Sequence, residues 1–216
     1  MAATKKNTEL KKAINTMLTS IGEQPIQNVD TLTADAGIAK DILDNVNTAV
    51  QSRGWIFNTD LDVIKKPDRT SLEIVLGPKV LRVDTITRLR DGKNDIVERG
   101  GKLYDRQTNS HIFAAGSEVK VDIITELSFE DLPEPAKRYI TIRSARIFHD
   151  RVVGAGELHR FYQEDEMQAW IVLMEYEGDV ADYNIFDNYD VYRVVDRLPG
   201  TSSNRLGYNV IQSYTT

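Results

Sequence analysis

The 216-residue sequence contains no cysteine, which excludes disulfide bonds, thiolate metal ligands and a cysteine nucleophile. It has no apolar run near the roughly 18 residues that a membrane span requires. Its first residues carry charge but lack the apolar stretch of a secretory signal. We therefore expect a protein that is made in a cytoplasm, does not enter membranes, and is stabilised by packing or assembly.

An excess of basic charge is also missing. The net charge is -6, and the basic residues are dispersed apart from short groups such as Lys5-Lys6, Lys11-Lys12 and Arg88-Leu-Arg90. Proteins that grip nucleic acid need clustered Lys and Arg side chains to neutralise phosphates. Tight or sequence-specific binding of nucleic acid is therefore not expected.

Familiar catalytic and cofactor motifs are absent as well. The sequence has no phosphate-binding G-x-x-x-x-G-K-[ST] loop, no G-x-G-x-x-G fingerprint and no G-x-S-x-G nucleophile elbow. Gly100-Gly101 is predicted to form a tight turn, as is Asp91-Gly92. We expect neither a cofactor nor a catalytic residue.

Two groups of side chains are the remaining candidates for chemistry. His149, Asp150, Glu157 and His159 have ligand-type side chains around a break in helical spacing, but they lack an H-E-x-x-H pattern. No metal is expected there, and solvated or capping histidines are favoured. Glycoside cleavage requires two carboxylates about 5 to 10 Å apart across a sugar, and adjacent acids on one helix face do not meet that geometry. A solvated or subunit-facing surface is favoured for the acids Glu164, Asp165, Glu166, Glu175 and Glu177.

Helical spacing occurs in the first and last thirds of the chain. Apolar residues predict one helix over Glu9–Ile21, ended by Gly22, and a second that begins after Thr33 and stops at Gly54. Its apolar stripe comprises Ile38, Ile42, Val46, Ala49 and Val50. A third helix opens at Leu132-Pro-Glu-Pro135, and a fourth follows the glycines 154 and 156 and continues to Gly178. The predicted apolar face of the fourth comprises Leu158, Phe161, Tyr162, Ala169, Val172, Leu173 and Tyr176.

Strand-like alternation occupies the middle of the chain. It predicts half-buried antiparallel strands at Leu61–Val63, Leu72–Leu76, Leu81–Val83 and Val119–Ile123. The transition falls at Gln51-Ser-Arg-Gly-Trp-Ile-Phe-Asn58, where aromatic side chains are expected to pack the first helices against the insertion. We interpret four residues there as a structural hinge: Arg53, Gly54, Trp55 and Phe57.

These patterns predict an α+β fold, a discontinuous helical bundle built from both chain ends with an inserted antiparallel β-rich domain. The expected divisions are a helical hairpin over 1–54, the β-rich insertion over 55–130, a helical pair over 131–183 and an arm over 184–216. The arm is polar and has no helical period, so we expect it to order on a partner. Its candidate partner-binding residues are Tyr189, Tyr192, Tyr208 and Tyr214.

Five segments carry a further signal: Thr19-Ser-Ile-Gly-Glu-Gln-Pro25, Gln51-Ser-Arg-Gly-Trp-Ile-Phe-Asn58, Arg99-Gly-Gly-Lys-Leu-Tyr-Asp-Arg106, Leu132-Pro-Glu134 and Met174-Glu-Tyr-Glu177. In their order and spacing they resemble the tail tubular protein A family, the head-to-tail adaptors of podoviruses. The resemblance extends from about Leu10 to Asn184, and its most specific parts are the Arg-Gly-Trp and Tyr-Asp-Arg blocks.

The resemblance implies a structural virion protein, assembled in the host cytoplasm, that forms a homo-oligomeric ring of about twelve copies. The ring would join the portal protein to the nozzle, tail tubular protein B, help to seat the tail fibres, and let genomic DNA pass without sequence-specific binding during ejection. Physically, such an adaptor needs self-complementary faces rather than a reactive group. Two alternatives are a virion-associated polysaccharide hydrolase that uses Glu164, Asp165 and Glu166, and a free regulatory binding module.

Overall fold

The computed structural model describes residues 7–85, 95–154 and 156–180, with side chains omitted for 156–158. The described residues up to Glu177 belong to one compact unit, and Gly178–Val180 belong to a second unit. The described helices are α1 (Thr8–Ser20), α2 (Ala34–Gln51), α3 (Glu134–Val152) and α4 (Gly156–Val180). The described strands are β1 (Thr59–Lys65), β2 (Val80–Asp84), β3 (Ile96–Arg99), β4 (Lys102–Asp105) and β5 (Val119–Thr125). The mixed α and β content is thus confirmed.

The end of α1 and the start of α2 lie where their capping residues predict, whereas α2 ends at Gln51, before the predicted stop at Gly54. Gly22, with φ of +83°, donates to the carbonyl of Thr19, and Glu23 donates to that of Leu18, which together form a Schellman motif. The hydroxyl of Thr33 accepts a hydrogen bond from the backbone amide of Ala36 and caps the start of α2. Local sequence therefore sets these two helix ends.

The predicted apolar faces of α2 and α4 are partly wrong. Ile38 is 47% exposed and Ala49 is also exposed, although both follow the helical spacing of α2. On α4, Phe161 is 66% exposed and Val172 is 42% exposed. The reason is that α2 and α4 bury a narrower face than their apolar spacing allows, so residues at the edge of each stripe stay outside the core.

One hydrophobic core contains side chains from all four helices. Helix α3 contacts both α1 and α2, so the segment after the strands packs on the segment before them. Pro135 lies in the first turn of α3, where its missing amide donor costs nothing. The best-buried members of this core include Ile14, Met17, Leu18, Leu43, Ile140, Phe148 and Leu173.

The strands enclose a second, separate core. Strand β5 lies between β1 and β2 in an antiparallel sheet of order β1-β5-β2, and β3 and β4 form a hairpin. Gly100 and Gly101, both with positive φ, occupy the two-residue turn of that hairpin, as predicted. The other predicted turn, Asp91-Gly92, lies outside the described residues. Members of this core are Ile74, Leu76, Val83, Ile96, Leu103, Phe113, Val119, Val121 and Ile123.

Two strand predictions need correction. Leu72–Leu76 is not a strand: Leu72 has φ of +57°, and Val75 only forms an isolated bridge to Lys102, although Ile74 and Leu76 are buried. In β1, the register shifts between Asp60 and Val63, and Leu61 is 68% exposed. A β-bulge adds a residue to one strand and turns the side chains that follow, which ordinary alternation does not anticipate.

The chain passes between the helices and the strands at one junction. The side chain of Gln51, at the end of α2, makes two hydrogen bonds with the backbone of Leu127, which follows β5. Asn58 donates to the carbonyls of Gln51 and Thr125, at 3.0 and 3.2 Å, and accepts from the amide of Trp55. Gln51 and Asn58 are buried, so polar side chains tie the beginning and the end of the β region together.

Candidate functional site

A cavity of about 550 Å³ lies between α2, α3 and α4. The end of α2 and the segment after it form one wall, and inward-facing residues of α3 and α4 form the others. Its lining comprises Ala49, Val50, Arg53, Trp55, Tyr139, Arg143, Arg146, Gln163, Glu166, Met167 and Trp170. We call it the arginine–tryptophan cavity.

Two of the four predicted hinge residues line this cavity. The guanidinium of Arg53 lies 4.8 Å from the ring centre of Trp170 and 5.4 Å from that of Trp55. Both distances suit cation–π contact. Trp55 is only 2% exposed, and its ring nitrogen donates to the carbonyl of Val50 at 2.7 Å. The two tryptophan rings therefore hold the Arg53 side chain at the rim.

The other two predicted hinge residues, Gly54 and Phe57, do not line the cavity but adjoin Trp55, which does. Gly54 has φ of +81°, which favours glycine, and it directs the chain from α2 toward Trp55. Phe57 stacks on Trp55 with ring centres 6.1 Å apart and is half-buried. Ile56 between them is 39% exposed, whereas Trp55 belongs to the helical core and Phe57 packs against that core.

An ion-pair network forms the opposite wall. Glu166 on α4 accepts a hydrogen bond from Arg146 on α3, and Arg146 also contacts Asp150 at 3.3 Å. Arg143 approaches Glu166 only to 3.7 Å and donates to the hydroxyl of Tyr139 at 2.7 Å. The hydrogen bond that Arg146 donates to Glu166 raises the pKa of Arg146 above its usual value, against the opposing effect of burial.

The side chains that line the cavity carry a net positive charge, although the protein as a whole is acidic. Three arginines against one glutamate give the cavity wall a net charge of +2, whereas the whole chain carries -6. Among the side chains that the structure describes, no carboxylate forms an ion pair with Arg53. The arrangement is therefore suited to bind an anionic group beside aromatic surface.

The structure brings together only part of the predicted histidine group. His159 lies 3.0 Å from Asp150, but the Glu157 side chain is not described. His149 is only 1% exposed and packs 5.0 Å from the Tyr162 ring, and its Nδ1 has no hydrogen-bond partner among the described residues. The prediction of a solvated or capping histidine is therefore wrong for it. The reason is that His149 follows Phe148 onto the packed side of α3. Within the described residues, no three His, Asp or Glu side chains are placed to hold a metal ion.

The acidic residues fall into different environments. Glu164, Asp165 and Glu175 are exposed, as a solvated surface predicts. Glu166 is instead mostly buried against Arg146, and Glu177 accepts a hydrogen bond from the amide of Ile56 at 2.8 Å. For these two, the solvated interpretation is wrong, because each is a partner for a donor on another element. The tyrosines 189, 192, 208 and 214 lie outside the described residues.

The sequence alone did not identify one side of the cavity, which is formed by Arg143, Arg146 and Trp170. A spacing signal exists, since Arg143 and Arg146 are three residues apart on α3, and Glu166 and Trp170 are four apart on α4. Each pair therefore shares a helix face. That the two faces oppose each other depends on how α3 and α4 pack, which spacing does not specify.

Comparison with known proteins agrees with the resemblance seen in the sequence. The family model described as tail tubular protein, or Tube, matches residues 11–183. Tail tubular protein A of Klebsiella phage KP34 is 27% identical over 165 residues, which cover 76% of this chain and 84% of that relative. A family match over most of the sequence is stronger evidence than any single motif. The chain belongs to the tail tubular protein family.

Proposed function

We propose that this viral tail protein is a head-to-tail adaptor: a ring of about twelve copies that joins the capsid portal to the tail nozzle and lets DNA pass. Membership of the tail tubular protein family supports a structural role in the virion tail. The observation that carries the finer proposal is the pair of separate hydrophobic cores, one helical and one formed by strands, joined at Gln51 and Leu127. Two differently built regions suit a protein that meets two different neighbours.

In this proposal, the helices form a discontinuous bundle, with 1–54 and 131–183 contributed from either side of the insertion. That bundle makes the contacts with neighbouring copies and with the portal. The inserted region, 55–130, projects toward the nozzle protein, tail tubular protein B, and the tail fibres. The arm, 184–216, orders on a partner through Tyr189, Tyr192, Tyr208 and Tyr214.

Exposed apolar side chains on both regions support a division of contacts. Exposed apolar patches mark protein interaction surfaces, and each region has several large apolar side chains that are exposed. On α4 these are Phe161, Met167, Ile171, Val172 and Met174. On the β region they are Leu61, Ile64, Val75 and Ile112.

The proposed ring works without catalysis or a cofactor. Many modest contacts act together in a ring, because each copy held by its neighbours meets the portal at high effective concentration. A net charge of -6 suits a channel through which DNA slides, since the chain offers no basic ladder to retain phosphates. In the described residues, no helix has both the length and the apolar character to cross a bilayer.

Replacing residues 60–124 with a short linker tests the division of contacts. We expect the shortened chain to bind purified portal rings in negative-stain images and to lose binding to the nozzle protein. A folded deletion, checked by circular dichroism, that loses portal binding and retains nozzle binding would reverse the assignment.

Two surface substitutions form a matched pair for the same question. Val75→Asp adds charge to the β region, and Phe161→Asp adds it to α4, at positions that are 67% and 66% exposed. We expect the first to weaken nozzle binding alone and the second to weaken ring or portal binding alone. Equal loss of both contacts in each variant would contradict separate surfaces.

Protease protection tests the proposed role of the arm. Residues 184–216 should gain protection only when portal or a neighbouring copy is present, because ordering of a polar segment needs partner contacts. Equal protection in the isolated monomer would contradict this part of the proposal.

A further inference from the structure

The arginine–tryptophan cavity has the composition of a protein-binding surface. Its lining contains two tryptophans, a tyrosine, a methionine and three arginines, but no lysine. Protein interfaces and their energetic hot spots are enriched in Trp, Tyr, Arg and Met and depleted in Lys. Nucleic acid would instead need a track of cations spaced along a backbone. The composition therefore favours a protein segment as the occupant.

An exposed apolar strip continues from the cavity along α4. Met167 lines the cavity and is 64% exposed, and Ile171 and Met174 follow it at 48% and 40% exposure. Their spacing of four and three residues places them on one side of the helix. An occupant thus meets a cationic pocket and an adjoining apolar strip.

Two guanidinium groups are available to an anionic occupant. Arg53 is exposed and is held by Trp55 and Trp170 through ring contacts that leave its N–H donors unpaired by any described carboxylate. The Arg143 side chain is 40% exposed, and its approach of 3.7 Å to Glu166 is longer than a hydrogen bond. Planar guanidinium groups at such positions recognise carboxylates through paired N–H bonds.

We propose that this cavity binds the acidic, aromatic segment 181–192 of a second copy of the chain. That segment contains Asp182, Asp187 and Asp190, no Lys or Arg, and four aromatic residues, Tyr183, Phe186, Tyr189 and Tyr192. Its charge of -3 complements the net +2 of the cavity lining, and its aromatic side chains match the tryptophan wall and the strip on α4.

The contact joins two different surfaces, so it is heterologous and repeats from copy to copy. Repetition of a heterologous contact closes a ring when the rotation between copies allows it. The inference rests on the proposed function and deepens it, because it names a segment and a cavity through which neighbouring copies recognise each other. The aspartates pair with Arg53 and Arg143, while the aromatic side chains contact Trp170, Met167 and Ile171.

Binding of a peptide in trans tests the inference directly. The probe is a fluorescein-labelled peptide of residues 181–192, and the receptor is the full chain with Asp182, Asp187 and Asp190 each changed to Asn, so that its own segment does not compete. Fluorescence anisotropy should show saturable binding. Arg53→Gln should weaken it about tenfold or more, as expected for loss of a charge-assisted hydrogen bond.

The matched control is Arg160→Gln, since Arg160 is exposed on α4 but does not line the cavity. It should leave the affinity unchanged, and a peptide with its three aspartates changed to asparagine should bind at least tenfold more weakly. Circular dichroism confirms that each receptor is folded. No binding, equal weakening by both arginine substitutions, or equal binding of the asparagine peptide would overturn the inference.

A single-stranded oligonucleotide of twelve nucleotides distinguishes the other class of ligand. If it binds in place of the peptide and is lost with Arg53→Gln, the cavity is a nucleic-acid site and the inference is wrong. The proposed adaptor role is measured separately through portal and nozzle binding. If the protein assembles normally but does not bind the peptide, the proposed contact is wrong and the proposed adaptor role still holds.

Discussion

Gln51 and Leu127 are 76 residues apart in the chain, yet the side-chain amide of one makes both hydrogen bonds with the backbone of the other. The Leu127 amide donates to Oε1 of Gln51 at 2.8 Å, and Nε2 of Gln51 donates to the Leu127 carbonyl at 3.0 Å. Gln51 has no exposed surface, so these bonds are shielded from water. A single side chain thus holds the beginning of the β region beside its end.

Gln51→Leu should destabilise the protein by about 2 to 4 kcal/mol, because it leaves buried polar groups of Leu127 and Asn47 without partners. Urea unfolding followed by circular dichroism measures this change in the free energy of unfolding. Gln168→Leu, the same substitution at an exposed position of α4, should stay within about 0.5 kcal/mol. Similar losses in both variants would show that Gln51 has no special structural role.

Gly54→Ala should destabilise the protein more than Gly22→Ala. Both glycines have φ near +80°, so both substitutions carry the cost of a left-handed residue, about 1 kcal/mol. At Gly54, a Cβ atom would also lie 2.5 Å from Cδ1 of Ile124, whereas at Gly22 it would have no described atom within 4 Å. We expect an additional cost of about 1 kcal/mol at Gly54 in thermal unfolding.

Ile124→Val should rescue the Gly54→Ala variant, because it removes the Cδ1 atom that a Cβ at position 54 would approach. In the Ile124→Val background, Gly54→Ala should cost no more than Gly22→Ala does. An unchanged difference between the two glycines would mean that contact with Ile124 is not the cause.

Glu166→Gln should cost about 1 to 3 kcal/mol, because it removes the charged acceptor of Arg146, whose side chain is only 20% exposed. Glu164→Gln is the exposed control on the same helix and should be nearly neutral. Since the pKa of Arg146 is raised above its ordinary value, the arginine's part in this stability is fully present below that ordinary value and is lost only as pH rises through the higher folded value. Chemical unfolding at pH 7 and pH 9 should therefore give the same difference between the variants.

Because of Asp68, the free energy of unfolding should depend on pH in the acidic range. Backbone amides of Ser71 and Thr70 donate to its carboxylate and lower its pKa below 3.8 in the folded protein. Its contribution is thus present above 3.8 and is lost as pH falls through the lower folded value. Asp68→Asn should be less stable than the parent at pH 7, and the difference should shrink toward pH 2 in thermal unfolding. A constant difference across that range would refute this, and exposed Asp41→Asn is the control.

The sequence predicted those parts of the fold that local chemistry determines. Thr33, Gly22 and the Gly100-Gly101 pair act within a few residues of themselves, so their roles were readable from spacing. Leu72–Leu76 shows the limit of alternation: Ile74 and Leu76 are buried as expected, but Leu72 takes a left-handed conformation and no strand forms. The two-residue alternation predicts which side chains are buried, but it does not predict the backbone conformation.

Only one side of the arginine–tryptophan cavity could be predicted from the sequence. Arg53 and Trp55 lie in the segment whose change of periodicity drew attention, whereas Arg143, Arg146 and Glu166 each look like ordinary surface charge in sequence. Their significance comes from the pairing of α3 with α4, which is a tertiary property. His149 illustrates the same point, since a titratable residue near a helix end became one of the best-buried side chains.

The junction at Gln51 has a consequence for how relatives diverge. Because both connections to the β region leave the helices side by side, loops within that region can lengthen, shorten or be exchanged while the spacing of its two anchor points stays fixed. Gln51 and Asn58 contact backbone atoms of Leu127 and Thr125, and at position 127 any residue except proline would supply both of them. The attachment of the β region to the helices therefore does not depend on the length of the loops within that region.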